Sequence, residues 1–92
     1  MFVVESRGRL YACPCCGYLT LSTRAAFELC PVCYWEDDGQ GDADADEVFG
    51  GPNASLSLTQ ARSNFAAFGA CDREFVSHVR SPRQDELPGE PS

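Results

Sequence analysis

Four cysteines in two closely spaced pairs are the residues of this sequence best able to do chemistry. Cys13 and Cys16 lie in the segment CPCCG, and Cys30 and Cys33 lie in the segment CPVC. The proline after the first cysteine of each pair fixes its φ at about −65°, which favours a turn that presents two sulfur atoms to one ion. Two such turns facing each other provide the four thiolates of a tetrahedral structural zinc site. The spacing therefore predicts Zn²⁺ at these four cysteines, with disulfides and unligated thiols as the alternatives.

The other two cysteines and the single histidine give weaker signals. Cys15 lies inside the first turn, and we expect it to be unligated because a C-x-C pair fits that turn less well than C-x2-C. Cys71 stands alone and is interpreted as a small core residue. Nucleophilic catalysis by either thiol would need a neighbouring base, and no spacing pairs either of them with His78. His78 is interpreted as a residue of the surface or of the core edge.

Three stretches of the sequence carry a resemblance to a known family. They are YACPCCGYLT at residues 11–20, CPVCYWEDD at residues 30–38, and SLTQAR at residues 57–62 with the following Asn64 and Phe65. On these motifs the chain resembles the bacterial cysteine-rich CPCC family over roughly residues 9–80. The resemblance implies a small metal-binding fold. It implies little about activity, because family members are uncharacterised small proteins and some carry only a general hydrolase label.

Half of the acidic residues lie in one short segment, residues 36–47, which we call the acidic segment. The chain has 14 acidic and 7 basic residues, so removing the seven acids of this segment would leave a neutral chain. An EF-hand calcium loop does not fit, because Glu47 stands where the turn needs glycine and Asn53 stands where the bidentate glutamate belongs. Either the segment is a solvated acidic loop, or some of its carboxylates hold a second divalent ion. The candidate ligands of that ion are Glu36, Asp37, Asp38, Asp42, Asp44 and Asp46.

Length and charge exclude several classes of protein. A chain of 92 residues buries a small fraction of its surface and often needs a metal, a disulfide or a partner for stability. The net charge of −7 argues against binding to nucleic acid and favours a basic protein partner. No apolar run reaches the roughly 18 residues of a membrane span, and the start of the chain lacks the features of a signal peptide. We therefore expect a cytoplasmic protein that is a monomer or a weak oligomer.

Apolar and polar residues alternate in four short stretches around the two cysteine pairs. The predicted strands cover residues 2–4, 9–12, 18–21 and 26–29. They would form a small antiparallel sheet, similar to a zinc ribbon, with the two cysteine turns at one end. The predicted fold is therefore a small α+β domain in which this sheet packs against one α-helix and a short second helix.

The main helix is predicted over residues 58–68. Ser57 and Gln60 form a capping-box pattern at its start, and Gly69 is a typical residue just after a helix end. Its apolar stripe would cover the sheet. The short second helix is predicted over residues 72–80, so the domain would cover residues 1–80 and residues 81–92 would be a mobile tail. On the polar face of the main helix, Arg62 and Asn64 are either solvated or turned towards the acidic segment.

Two aromatic residues directly follow the last cysteine. Tyr34 and Trp35 either shield the metal site and fill a thin core, or provide an exposed aromatic surface beside the acidic segment. The second interpretation leads to our first functional hypothesis, a zinc-stabilised binding module that uses the acidic segment and Trp35. The alternatives are a metal-dependent hydrolase with a second ion at the acidic segment, and a rubredoxin-like electron carrier, in which Tyr34 would replace the usual glycine. The sequence favours binding over catalysis.

Overall fold

The computed structural model describes residues 10–88. Within them, a two-stranded antiparallel sheet has one strand before and one strand after the first cysteine pair. Strand β1 covers Tyr11–Ala12 and strand β2 covers Leu19–Leu21. Tyr11 lies opposite Leu21 and Ala12 lies opposite Leu19, with an irregularity between the two pairs. Both strands fall within ranges predicted from the sequence. The strand predicted at residues 2–4 lies outside the described residues.

The strand predicted at residues 26–29 is wrong, because that stretch contributes only a single β-bridge, from Leu29 to Glu36. Ala25 and Phe27 have φ values of 58° and 61°, and left-handed backbone interrupts an extended strand. Asp37 holds them there: its Oδ2 accepts a hydrogen bond from Ala25 N at 2.7 Å, and its carbonyl accepts one from Phe27 N at 2.9 Å. The sheet of the described chain is therefore smaller than the predicted ribbon.

Helix α1 covers Leu58–Phe68, as predicted. It begins where Ser57 Oγ accepts a hydrogen bond from Gln60 N at 3.0 Å. It ends at Gly69, which has a φ of 89° and donates its N–H to Phe65 O at 2.9 Å, as expected for a glycine that closes a helix. Only the Ser57 half of the predicted capping box is present, and the Gln60 side chain donates from its Nε2 to Asn64 Oδ1 at 2.8 Å.

The second helix is a 3-10 helix at Arg73–His78 rather than an α-helix. Asp72 caps it by accepting a hydrogen bond from Glu74 N at 3.3 Å. The described part of the chain also has three shorter 3-10 turns, at Asp42–Asp44, Gly51–Asn53 and Gln84–Glu86. Within residues 10–88, no helix combines the length and the apolar character needed to cross a bilayer.

The core of the described chain is built around the cysteines. Several large side chains are at most 1% exposed, like Cys13, Cys30 and Cys33: Leu21 from β2, Leu58 from α1, and Val32 and Trp35 from the region of the second cysteine pair. Phe65 packs against this cluster from the helix. Few large apolar side chains are fully buried, so the cysteine turns occupy the place that an ordinary domain gives to an apolar centre.

Contacts continue past residue 80, where the sequence predicts the domain to end. Glu86 is only 4% exposed, and its carboxylate accepts hydrogen bonds from both terminal nitrogens of Arg80 at 2.9 and 2.8 Å and from Arg83 N at 2.8 Å. Arg80 N in turn donates to Pro31 O in the second cysteine turn at 3.1 Å. The segment from Arg80 to Glu86 is thus attached to that turn, whereas residues 89–92 lie outside the described range.

We predict that Glu86→Gln lowers stability at pH 7 by about 1–3 kcal/mol. The hydrogen bonds from Arg80, followed by that from Arg83 N, lower the pKa of Glu86 to about 2 from an ordinary value of 4.5. Because the folded-state pKa lies below the unfolded one, the stabilisation is fully present above about pH 4.5 and is lost as the pH falls towards 2. Urea unfolding of both proteins, over the pH range in which they stay folded, should show a free-energy difference that shrinks with acid.

The matched control is Glu74→Gln, which changes an exposed carboxylate on the 3-10 helix. Its unfolding free energy should stay close to that of the native protein at every pH. A Glu86→Gln protein as stable as the native one at pH 7 would contradict the role assigned to this ion pair.

Candidate metal centre

The two cysteine turns close with the same pair of backbone hydrogen bonds. In the first turn, Cys13 N donates to Tyr18 O and Gly17 N donates to Cys13 O, both at 2.8 Å. In the second turn, Cys30 N donates to Trp35 O at 3.0 Å and Tyr34 N donates to Cys30 O at 2.8 Å. The turns are therefore equivalent in backbone structure, although the sequences that follow their second cysteines differ.

The residue after the second cysteine of each pair has left-handed backbone. Gly17 has a φ of 85° and Tyr34 has a φ of 73°. Glycine adopts this conformation freely, whereas a residue with a side chain does so at a cost of about 1–2 kcal/mol. Tyr34 has compensating contacts, because its ring lies 4.8 Å from that of Phe75 and stacks on His78 at 5.4 Å between centroids.

Four sulfur atoms, one from each predicted ligand, meet between the two turns. The Sγ atoms of Cys13, Cys16, Cys30 and Cys33 all lie within 4.8 Å of one another. Two of the separations, Cys13 to Cys33 at 3.6 Å and Cys16 to Cys30 at 3.7 Å, nearly equal the edge of about 3.8 Å that a tetrahedron with Zn–S bonds of about 2.3 Å requires. The structure thus brings together all four residues that the spacing predicts, in an arrangement that could hold a metal ion.

Polar groups from neighbouring elements support these turns. Thr20 Oγ1, on β2, donates to Cys30 Sγ at 3.0 Å, and Val32 N donates to the same sulfur at 3.4 Å. Such donors offset negative charge on a thiolate and fix its orientation. Arg62 Nε, on α1, donates to the carbonyl of Pro14 at 2.8 Å, so the helix holds the first turn from outside.

Asn64 supports the second turn through Cys71. Its Nδ2 donates to Cys71 O at 2.9 Å, and Cys71 N donates to Cys33 O at 2.8 Å. Arg62 and Asn64, which the sequence leaves as either solvated or facing the acidic segment, therefore connect α1 to both cysteine turns. Asn64 does not face the acidic segment, whereas Arg62 also reaches Asp42 there.

The four clustered thiols share their protons unequally. Hydrogen bonds with Cys13 and then Cys16 lower the pKa of Cys30, and the hydrogen bond from Thr20 lowers it further. The hydrogen bond with Cys16 lowers the pKa of Cys13. The same contacts with Cys13 raise the pKa of Cys16 and of Cys33. A bound cation needs all four as thiolates, so metal binding at this site releases protons and weakens with acid.

Cys15 and Cys71 lie next to the cluster and outside it. Both are buried, with exposures of 8% and 1%, and neither belongs to the group of four sulfurs. Burial, followed by the nearby Cys15, raises the pKa of Cys71 to about 12. Cys71 therefore remains a neutral thiol that packs in the core, in agreement with its interpretation from the sequence.

The carboxylates of the acidic segment point to separate partners rather than to one another. Within residues 10–88, the cysteine cluster is the only group of three or more histidine, cysteine or acidic ligand atoms close enough to share an ion. Asp37 accepts from Arg24 and from the N–H groups of Ala25 and Gly39. Burial alone would raise the pKa of Asp37, but Arg24 and these N–H groups together lower it.

The other candidate ligands of a second ion are also spread out. Asp38 accepts from Gln40 N and Asn53 Nδ2, and Asp44 accepts from Gly41 N. Two more bind residues of α1: Asp42 pairs with Arg62 at 2.8 Å, and Asp46 accepts from Thr59 Oγ1 at 2.6 Å. Glu36 uses its backbone, because its N and O both bind the side chain of Asn53. The structure does not gather the six carboxylates into one site.

Trp35 is completely buried, so its predicted use as part of a binding surface is wrong. It lies in the same apolar cluster as the four sulfur-bearing residues, which is the shielding role that the sequence offers as its alternative. Tyr34 is half-buried and covers the outside of the second turn with Phe75 and His78. His78 is exposed, and its ring packs against those of Tyr34 and Phe75.

A family comparison agrees with this geometry. The model of the family described as "Cysteine-rich CPCC" matches residues 11–86, which is most of the chain. This chain belongs to the cysteine-rich CPCC family. In this CPCC protein the match includes both cysteine turns, helix α1 and the segment that ends at Glu86. No curated protein and no solved structure matches the chain.

We predict that Gly17→Ala lowers the unfolding free energy of the metal-loaded protein by about 1–2 kcal/mol. A Cβ added at Gly17 meets no atom within 4 Å, so the whole effect comes from its φ of 85°. Gly41→Ala is the matched control, because a Cβ there also meets nothing within 4 Å, but its φ is −145°. Chemical unfolding should therefore separate the two variants, and equal stabilities would show that the left-handed turn is not under strain.

Proposed function

We propose that this CPCC protein is a small, non-catalytic binding module that Zn²⁺ stabilises at its four cysteines and that presents its acidic segment to a basic protein. The observation that supports the metal most directly is that four sulfur atoms lie within 4.8 Å of one another, with two of the separations close to the edge of a zinc–thiolate tetrahedron. Four thiolates are a donor set typical of structural zinc, although iron can occupy the same ligands. A reducing compartment such as the cytoplasm would keep these thiols available for metal.

A structural role follows from how completely protein surrounds the sulfur atoms. Cys13, Cys30 and Cys33 are at most 1% exposed, and only Cys16 is half-buried. With four protein ligands, a tetrahedral zinc ion has no position left for water or substrate. Zinc bound at such a site supplies about 10–16 kcal/mol to the folding of a small domain. This is the scale of stabilisation that so small an apolar core needs.

A hydrolase is a weaker candidate because of how the acidic segment is built. Hydrolysis assisted by a metal ion needs several carboxylates directed at one point, with an open position for water. Here Asp37 is buried and bound to Arg24, Asp44 binds the backbone, and Asp46 binds α1. Bringing them together would break the contacts that hold the segment in place.

The charge of the acidic segment supports a basic partner. Its seven carboxylates meet two arginine side chains, since Arg24 pairs with Asp37 and Arg62 pairs with Asp42. Within the described part of the chain, no arginine pairs with the other five. A surface with such excess charge speeds the approach of a protein of opposite charge and disfavours nucleic acids and anionic lipids.

We predict one zinc ion per chain in protein purified under reducing conditions. Cys13→Ser should lose this stoichiometry and unfold, whereas Cys15→Ser should keep it, because Cys15 is outside the group of four sulfurs. Elemental analysis and native mass spectrometry measure the metal. Trp35 fluorescence reports folding, because the ring is fully buried.

Three outcomes would contradict the proposed function. One iron per chain would favour the electron carrier, and a second divalent ion bound stoichiometrically would favour the hydrolase. A protein that stays folded after a chelator has removed its ion would show that the four thiolates do not stabilise the fold.

We also predict that the zinc-loaded protein binds an unstructured arginine- and lysine-rich peptide with an affinity that falls steeply between low and physiological salt. Glu47→Gln combined with Asp46→Asn should weaken binding several-fold, because both side chains are exposed. Glu74→Gln combined with Asp85→Asn is the control, because it removes the same charge from two exposed residues outside the acidic segment. Fluorescence anisotropy of a labelled peptide measures both, and equal losses in the two double variants would remove the acidic segment from the binding surface.

A further inference from the structure

Two apolar side chains stand exposed directly after the acidic segment. Val48 is 56% exposed and Phe49 is 47% exposed. Single exposed apolar residues are common on protein surfaces, but an adjacent aliphatic and aromatic pair beside a charged region is a feature of docking surfaces.

The backbone that carries this pair is held firmly. Gln40, which is fully buried, donates its Nε2 to Asp44 O at 2.9 Å and to Glu47 O at 2.6 Å. Val48 then forms a β-bridge with Ser57, at the start of α1. Val48 and Phe49 are therefore presented on a backbone that is already ordered, which lowers the entropy lost on binding.

The surroundings of the pair select the chemistry of its partner. Asp46 and Glu47 immediately precede Val48 and are exposed, and the side chain of Asp42 is 92% exposed. A second copy of the chain would bring the same carboxylates against one another, and an anionic membrane would also be repelled. The pair is thus suited to an apolar side chain that arrives with positive charges on either side.

We propose that Val48 and Phe49 form the apolar centre of a docking surface for a cationic segment of a partner protein, in which an apolar side chain is flanked by arginine or lysine. This inference rests on the proposed function and adds to it the residues of the contact and the pattern of the ligand. The apolar side chain covers Val48 and Phe49, and the flanking cations face the exposed carboxylates of Asp46 and Glu47. Charge provides the approach and the apolar contact provides the selectivity.

Two peptides of equal charge test the inference on the full-length zinc-loaded chain. Each has arginines and lysines on both sides of a central position, which is leucine in one peptide and serine in the other. We expect the leucine peptide to bind about tenfold more tightly, because its side chain covers roughly half of an exposed aromatic ring. Isothermal titration at physiological salt measures both affinities.

Substitution of the pair should remove the selectivity without removing the charge attraction. Phe49→Ser should reduce the preference for the leucine peptide towards unity. Independently, the isosteric Val48→Thr should reduce that preference several-fold. Phe27→Ser is the matched control, because Phe27 is an exposed phenylalanine, at 55%, outside the acidic segment, and it should leave the preference intact. Zinc content and Trp35 fluorescence verify that each variant is folded.

The outcomes separate the two levels of the proposal. If neither peptide binds, the proposed function fails. If both peptides bind native protein equally, or if Phe27→Ser removes the preference as fully as Phe49→Ser, the docking surface at Val48 and Phe49 is wrong while charge-driven binding stands. If sedimentation shows a dimer that Phe49→Ser dissociates, the occupant is a second copy of the chain and the cationic partner is overturned.

Discussion

The hydrogen-bonded closure of two short turns around four sulfur atoms is the constraint on which the rest of this fold depends. Strand β2 touches it through Thr20, which donates to Cys30 Sγ, and helix α1 touches it through Arg62, which donates to Pro14 O. The C-terminal segment reaches it through Arg80 N, which donates to Pro31 O. Each element is thus attached to a turn by a polar contact, in addition to the apolar packing of Leu21 and Leu58 against the cysteines. An ion bound as proposed would fix the turns and all of these attachments together, which would couple folding to metal binding.

The structural features that the sequence predicts correctly are those determined by residues close together in the chain. The four ligands follow from two C-x2-C pairs, and α1 follows from Ser57 at its start and Gly69 at its end. Both depend on residues within a few positions of each other. The stretch 26–29 also alternates like a strand, but Asp37 captures its backbone from ten residues further along the chain, and no local pattern indicates that contact.

The acidic segment shows the same limit in a different form. Its composition predicts either a solvated acidic loop or the ligands of a second divalent ion. In the structure, the buried amides of Gln40 and Asn53 bind the backbone at both ends of the segment, through Asp44 and Glu47 on one side and Glu36 on the other. A glutamine and an asparagine are ordinary surface residues in a sequence, so their burial could not be predicted. The hydrogen bonds of these two buried amides order the backbone of the acidic segment.

Order in the acidic segment and order at the metal centre are physically connected through one side chain. Arg62 donates its Nε to Pro14 O in the first cysteine turn and its Nη2 to Asp42 in the acidic segment, at 2.8 Å each. The guanidinium is rigid and planar, so its two contacts cannot move independently. Movement of the first turn on loss of the ion would therefore displace the arginine that holds Asp42. The proposed metal site and the proposed binding surface are thus linked through Arg62, although Gln40 and Asn53 hold other parts of the acidic segment independently of the cysteine turns.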